Sequence, residues 1–137
     1  MDAFSKLKKL RTLLIDDDEL IRDSLSLAFS KKGCFIRTSE TAEEGLRALE
    51  EENYDVIISD LKLPGIDGLE FFKLANTSHP NAINVLITAY GDKEIVSKAV
   101  RTGVHEFVQK PFSIKTLITT ITPLLEPGSG KSQILKK

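Results

Sequence analysis

The sequence predicts an α/β protein, a doubly wound five-stranded parallel sheet carrying five helices. Three observations lead there. Short apolar runs alternate with helix-like segments, the runs falling at 12–15, 35–38, 56–59, 84–88 and 106–109. The first, third and fourth are nearly unbroken Leu, Ile and Val, which is how strands buried on both faces of a parallel sheet read. The links between segments are short, and a regular β-α repeat of that kind implies right-handed crossovers with helices on both sides of the sheet.

Taken in order, the chain opens with Met1-Asp2-Ala3-Phe4-Ser5-Lys6-Leu7-Lys8-Lys9-Leu10, so residues 1–9 are expected to be a lead-in to a globular unit at 10–126. Phe4, Leu7 and Leu10 have the spacing of a short amphipathic turn; a frayed end is the competing reading. After the first strand, 18–32 repeats Leu20, Ile21, Leu25, Leu27 and Ala28 on a helical period, and Gly33 stops it. The segment 41–52 begins with a capping-box pattern, Thr41 followed by Glu44, and sets Leu46 and Leu49 on one face. The segment 68–75 carries Leu69, Phe72 and Leu74, and 92–102 starts after Gly91 with Ile95, Val96, Ala99 and Val100. The last, 113–125, carries Ile114, Leu117, Ile118 and Ile121, with Pro123 expected to end or kink it near Thr122. Residues 127–137, rich in Pro, Gly and Ser and then basic, read as a linker stub or flexible tail.

Composition removes several function classes. At 137 residues, one ordinary core needs neither a metal staple nor disulfides. Nineteen basic against 20 acidic residues leave a net charge of -1, which argues against direct nucleic-acid contact. No run approaches a membrane span, and the lysine-bearing N-terminus has no continuous apolar stretch to serve as a signal peptide. Cys34 stands alone, so no internal disulfide forms; it reads as a small apolar filler, and the expected compartment is the cytoplasm. His79 and His105 read as ordinary surface residues.

In open parallel sheets ligands gather beyond the carboxyl ends of the strands, near the point where strand order reverses. The first strand ends in Asp16-Asp17-Asp18-Glu19. Asp18 and Glu19 suit a helix N-terminus, where acids favour the dipole. Asp16 and Asp17 come straight after an apolar strand, where a ligand would sit. The third run, Val56-Ile57-Ile58-Ser59, delivers Asp60 to the same edge, the fourth ends in Thr88-Ala89, and the fifth in Lys110-Pro111. Asp16, Asp17 and Asp60 make an oxygen-rich site suited to Mg²⁺, which takes a few carboxylates plus waters and a phosphate. A carboxylate can attack phosphorus to form an acyl phosphate, and a metal, a lysine and a hydroxyl would offset the phosphoryl charge. Each residue is weak evidence alone; an acid pair, an acid, a threonine and a lysine at four separate strand ends is a specific set.

With its motifs Leu13-Leu14-Ile15-Asp16-Asp17-Asp18, Asp55-Val56-Ile57-Ile58-Ser59-Asp60, Pro64-Gly65-Ile66-Asp67-Gly68, Ile87-Thr88-Ala89 and Phe107-Val108-Gln109-Lys110-Pro111-Phe112, the chain resembles a receiver domain of two-component response regulators, of the CheY-like type. The resemblance spans roughly 10–125 and implies the flavodoxin-like strand order 2-1-3-4-5, an order that general knowledge of such folds already attaches to CheY. It further implies that Asp60 is the phospho-acceptor, and that Asp16, Asp17, Asp60 and the backbone carbonyl of Lys62 hold Mg²⁺. Thr88 would bond one phosphoryl oxygen, Lys110 would pair with another, and the Lys110-Pro111 bond would be cis. Thr88 and Phe107 would form the switch, Phe107 standing where many members have Tyr. Lys62, Ala89 and Tyr90 occupy positions that tune the lifetime of the phosphorylated state.

The partners so implied are a sensor histidine kinase or histidine phosphotransfer protein, an output domain in a longer parent protein, and a phosphorylation-dependent homodimer through the fourth-helix face. Such a domain catalyses its own phosphorylation and dephosphorylation and is not a conventional enzyme. Two alternatives stand beside it. A phosphoaspartyl hydrolase of the haloacid-dehalogenase type would need its nucleophile after the first strand in an Asp-x-Asp-x-Thr pattern, and Asp16-Asp17-Asp18-Glu19-Leu20 lacks the threonine. A degenerate receiver serving only for docking would lack one of the site residues, and all are present.

Overall fold

Five strands, β1 (Arg11–Ile15), β2 (Phe35–Ser39), β3 (Val56–Asp60), β4 (Ile83–Thr88) and β5 (Glu106–Gln109), form one sheet in the order β2-β1-β3-β4-β5. Every pairing is parallel. The computed structural model of the protein describes residues 4–89 and 93–125. β3 and β4 are buried along their whole length, as the apolar runs 56–58 and 85–87 require, and Ser59, Asp60, Asn84 and Thr88 are buried with them. Because β1 lies between β2 and β3, the chain leaves it in opposite directions, and a crevice opens beyond the carboxyl ends of β1 and β3.

The helices are α1 (Glu19–Lys31), α2 (Ala42–Glu51), α3 (Gly68–Ser78), α4 (Lys93–Arg101) and α5 (Ile114–Ile121). Four begin on a side-chain cap. Asp18 accepts the Leu20 amide, Thr41 that of Glu44, Asp67 that of Glu70 and Ser113 that of Thr116. The Glu44 carboxylate reaches back to the Glu40 amide at 3.2 Å, closing the capping box one residue before the cap. α5 ends at Ile121, where Pro123 forces the chain into a 3-10 turn, Thr122–Leu125.

Side-chain alternation along the strands divides the core in two. Leu14, Val56, Ile58, Val85 and Ile87 face α1 and α5, packing with Leu25, Phe29, Leu117, Ile118 and Ile121. Leu13, Ile15, Ile57 and Leu86 face the other way, against Ala42, Ala48, Phe71, Phe72 and Ala99 from α2, α3 and α4. Gly45 is required on that side, since a Cβ there would sit 2.7 Å from Ile15 Cγ1.

Three details differ from the sequence expectations. The lead-in is packed rather than frayed: a 3-10 turn, Ser5–Leu7, places Phe4 and Leu7 in the α1/α5 side of the core, with Phe4 edge-on to Phe29. α3 runs to Ser78, three residues beyond the expected end, and His79 caps it, with its amide donating to Ala75 O. His79 is buried, not a surface residue, with Nδ1 2.8 Å from Ser78 Oγ and Nε2 lacking a partner among the described residues. His105 is half-buried; its amide donates to Asn84 O and its Nδ1 accepts the Asn84 amide at 2.9 Å, so it extends the β4–β5 pairing. Tyr90, the expected helix start at Gly91 and Asp92, residues 1–3 and the tail from 126 lie outside the described residues.

Candidate functional site

Asp16 follows β1 directly and is wholly buried. Each of its polar groups is held from a different direction. Its amide donates to Ser39 O at 3.1 Å, its carbonyl accepts Arg22 Nη1 at 2.8 Å, and its Oδ1 accepts the Asp18 amide at 2.9 Å. Oδ2 is left without a hydrogen bond, facing the Lys110 ammonium at 3.6 Å. Asp17, next along, is exposed at the mouth of the crevice.

Asp60 is the last residue of β3 and is 5% exposed. Its Oδ2 accepts Lys110 Nζ at 2.9 Å. The turn behind it is closed by the helix that follows: the Gly68 amide donates to Leu61 O at 2.8 Å, and a Cβ on Gly68 would lie 2.3 Å from Asp60 O. Only glycine permits that approach, and it brings the start of α3 flat against the end of β3.

Lys110 reaches this point because β5 pairs with β4. The Lys110 amide donates to Thr88 O at 2.7 Å, just beyond the register pair Thr88 and Gln109. Its bond to Pro111 is cis, as the resemblance implies. Thr88 ends β4, buried at 2% exposure, one residue beyond Ile87, the register partner of Asp60. Ala89 is exposed, and its carbonyl accepts Gln109 Nε2 at 3.4 Å. Phe107 is half-buried against the α3/α4 side of the core. Lys62 stands exposed two residues past Asp60. Beside Lys110 an open cavity of about 430 Å³ is lined by Asp18, Ile21, Pro111 and Phe112.

The carboxylates of Asp16, Asp17 and Asp60 each offer an oxygen, all within 4.8 Å of one another. Among the described residues, the single ammonium of Lys110 stands against these three acids. The imbalance shows in Asp16, whose pKa is pushed up to about 6. Burial is the main cause, opposed by the Asp18 amide and by Lys110 and reinforced by the charges of Asp60 and Asp17. Burial also works against the Lys110 ammonium, but the hydrogen bond to Asp60 and the charges of Asp16 and Asp60 outweigh it and leave its pKa raised. A buried carboxylate oxygen without a hydrogen bond, in an all-oxygen cluster with excess negative charge, fits a small hard divalent cation.

Asp16, Asp17, Asp60 and Lys110 thus form one cluster at the sheet edge, with Thr88 adjoining it at the end of β4, whereas Phe107 lies within β5, opposite Leu86. Arg22 was not foreseen. Its only trace in the sequence is its spacing, four residues after the helix cap Asp18 and six after Asp16.

A family profile described as the response regulator receiver domain matches residues 12–122. Among curated relatives, the DNA-binding transcriptional regulator NtrC of Proteus hauseri is 31% identical over 115 residues, which are 84% of this chain and 24% of that protein. The chain therefore spans about a quarter of that relative's length. Among solved structures, a CheY-like response regulator receiver domain protein of Methanospirillum hungatei superposes with a TM-score of 0.80 at 28% identity, covering 85% of this chain and 93% of that one. The beryllofluoride-activated NtrC4 receiver domain dimer does so at 0.74 and 32% identity, covering 80% and 91%. Fold, strand order and sequence agree, and the chain belongs to the response regulator receiver domain family of two-component systems.

Proposed function

We propose that Asp60 is the phospho-acceptor of this receiver, taking a phosphoryl group from a phosphohistidine on a sensor kinase or phosphotransfer protein. The observation that carries this is the placement of Asp60 itself: a nearly buried carboxylate at a strand end, held by Lys110 at 2.9 Å, with Asp16 and Asp17 within 4.8 Å. In the transfer, an Asp60 oxygen forms a bond to phosphorus as the P–N bond to the donor imidazole breaks, and the bonding pair leaves with the imidazole nitrogen. Lys110 is already aimed at the carboxylate and offsets charge on the phosphoryl oxygens. The cavity lined by Asp18, Ile21, Pro111 and Phe112 gives the donor an approach on the lysine side.

Asp16, Asp17, Asp60 and the Lys62 carbonyl would hold Mg²⁺. When bound, the ion neutralises acidic charge and the phosphoryl oxygens. Thr88, the neighbouring hydroxyl residue on β4, would bond a phosphoryl oxygen, and its movement would let Phe107 turn further into the α3/α4 side of the core, repacking the α4-β5-α5 face. That face would then engage an output domain or a second receiver; the dimeric state of one similar activated receiver supports the latter. Lys62, Ala89 and Tyr90 would set how long the acyl phosphate survives. The domain acts on itself rather than turning over a substrate, and it works in the cytoplasm, where such kinases present their phosphohistidine; among the described residues no helix is long and apolar enough to cross a membrane.

The test is incubation with Mg²⁺ and acetyl phosphate, followed by mass spectrometry. The wild type should gain one phosphoryl adduct at Asp60, stable in acid and labile in base, and Asp60→Asn should gain none. An unmodified wild type, or an adduct that survives Asp60→Asn, overturns the reading. Steady release of phosphate from a generic ester would instead favour a phosphoaspartyl hydrolase.

A further inference from the structure

We propose that Arg22 is a positioning residue of the cation site, fixing the backbone of Asp16 so that the acid pair presents its carboxylates to the ion. This rests on the reading of Asp16, Asp17 and Asp60 as the Mg²⁺-holding cluster. Arg22 lies in the second turn of α1, and its own amide donates to Asp18 O at 3.1 Å. Its side chain is 17% exposed and turns back over the helix start. There Nη1 donates to the Asp16 carbonyl at 2.8 Å, and Nη2 lies 4.0 Å from Glu40 Oε1, in the loop that follows β2.

The bond to Asp16 completes a set. With its amide on Ser39 O, its carbonyl on Arg22 and its Oδ1 on the Asp18 amide, Asp16 keeps only Oδ2 for other partners. Asp18 is fixed in turn by capping the Leu20 amide at 2.9 Å. Among the described residues Asp17 has no such anchor, so its direction depends on the residues on either side of it. Without Arg22, the Asp16 carbonyl at the end of β1 would lose its partner, and the Asp16–Asp17 peptide could rotate about its neighbours. The cost would fall on the metal rather than on the fold, because the strand pairing of β1 with β2 and β3 does not use this bond.

The planar fork matters. A guanidinium can hold the carbonyl with one nitrogen while facing the Glu40 carboxylate with the other; a lysine ammonium is a single point charge on a flexible stem. Partners one step outside a metal's ligands set ligand orientation, and their loss typically weakens metal binding by roughly 10- to 100-fold.

Three variants, Arg22→Ala, Arg22→Gln and Arg22→Lys, test this against the wild type. Calorimetric titration with Mg²⁺ alone should show affinity reduced about tenfold or more in the Ala and Gln variants, with Lys between them and the wild type. In metal-free protein, amide exchange should speed up at Asp16 and Asp18, whose amides are held by Ser39 O and Asp16 Oδ1, while Ile57 and Ile58 of β3 stay as protected as before. With acetyl phosphate, the Mg²⁺ concentration for half-maximal labelling should rise in parallel, and most of the rate should return at saturating Mg²⁺. A loss of labelling that saturating Mg²⁺ does not restore, with Mg²⁺ affinity within twofold of wild type, overturns the proposal; so does exchange that quickens equally in β3. Should the Ala variant fail to fold, the Lys and Gln variants carry the same comparison. A wild type that neither binds Mg²⁺ nor accepts phosphate overturns the functional reading and this role with it; a working wild type beside unaffected variants overturns this role alone.

Discussion

Replacing Asp16 with asparagine should make the metal-free protein more stable at neutral pH, although it removes a residue from the centre of the site. The reasoning starts from the buried Asp16 carboxyl, which holds its proton up to about pH 6 in the folded state against an ordinary value of 3.8. Between those values the folded protein binds more protons than the unfolded chain, so its stability falls as pH rises through that window and stays at the lower level above it. A displacement of about two pH units, at about 1.36 kcal/mol each, is on the order of 3 kcal/mol. The asparagine carbonyl can still accept the Asp18 amide, so the variant keeps that bond and sheds the charge. Relaxation of the exposed Asp17 side lowers the gain to roughly 1–3 kcal/mol, a rise in melting temperature of several degrees for a chain of this size. The raised Lys110 pKa acts at the other end of the scale: its contribution is full below the ordinary lysine value of 10.5 and is lost only above it. The assay is urea unfolding in EDTA at pH 5 and pH 8 for both proteins. Wild type should lose stability between the two and Asp16→Asn should not. Added Mg²⁺ should raise the wild type at pH 8 and leave the variant unmoved. A wild type as stable at pH 8 as at pH 5, or a variant less stable than wild type at pH 8, refutes the reasoning.

Two further substitutions probe the neighbours of Asp60. Lys110→Ala removes the ammonium that faces Asp16 and Asp60, and labelling by acetyl phosphate should slow by about 10²- to 10³-fold, measured as the rate of adduct formation by mass spectrometry. Labelling within threefold of wild type would mean that Lys110 does not meet the phosphoryl group. Gly68→Ala would put a Cβ 2.3 Å from the Asp60 carbonyl, which belongs to rigid backbone, so denaturant unfolding should show a loss of about 1–3 kcal/mol. An unchanged unfolding midpoint would show that the junction of β3 and α3 is looser than its geometry implies.

What the sequence revealed and what it concealed divide along a physical line. A strand buried on both faces must be mostly apolar, so β1, β3 and β4 announce themselves, and the acid or threonine at the end of each marks the sheet edge. Asp16, Asp60, Thr88 and Lys110 could therefore be placed at one edge before any coordinates, since a parallel sheet points all its carboxyl ends the same way. Asp18 and Thr41 were legible as caps for the same local reason. Arg22 was not, because an arginine on a helix with the period of a solvated face looks like any other; its target is a backbone carbonyl, which has no signature in sequence. His79 was hidden differently. The apolar period of α3 fades after Ala75, and only the continued helix through Asn76, Thr77 and Ser78 brings the histidine to its buried capping position. The packed lead-in falls between these cases: Phe4 and Leu7 had the right spacing, but a chain end acquires structure only when the body of the protein offers a place to bury it.

The charge imbalance that weakens the site is also what can make it a switch. Among the described residues three carboxylates face one ammonium, and two of the acids, Asp16 and Asp60, are buried where water screens their charge poorly. In the proposed function, phosphorylation replaces the single charge of Asp60 with about two on a larger group bearing three acceptor oxygens, and Lys110 can serve only part of them. Thr88 ends β4 at the same sheet edge, and its carbonyl already accepts the Lys110 amide at 2.7 Å. A pull on Thr88 is therefore a pull on the β4–β5 junction, and Phe107, half-buried against the α3/α4 core, sits on the strand that would feel it. In that proposed function no long pathway would be needed for a signal to reach the α4-β5-α5 face. A site in which Asp60 was already neutralised would gain little from the phosphoryl group and would have no free energy to pass on.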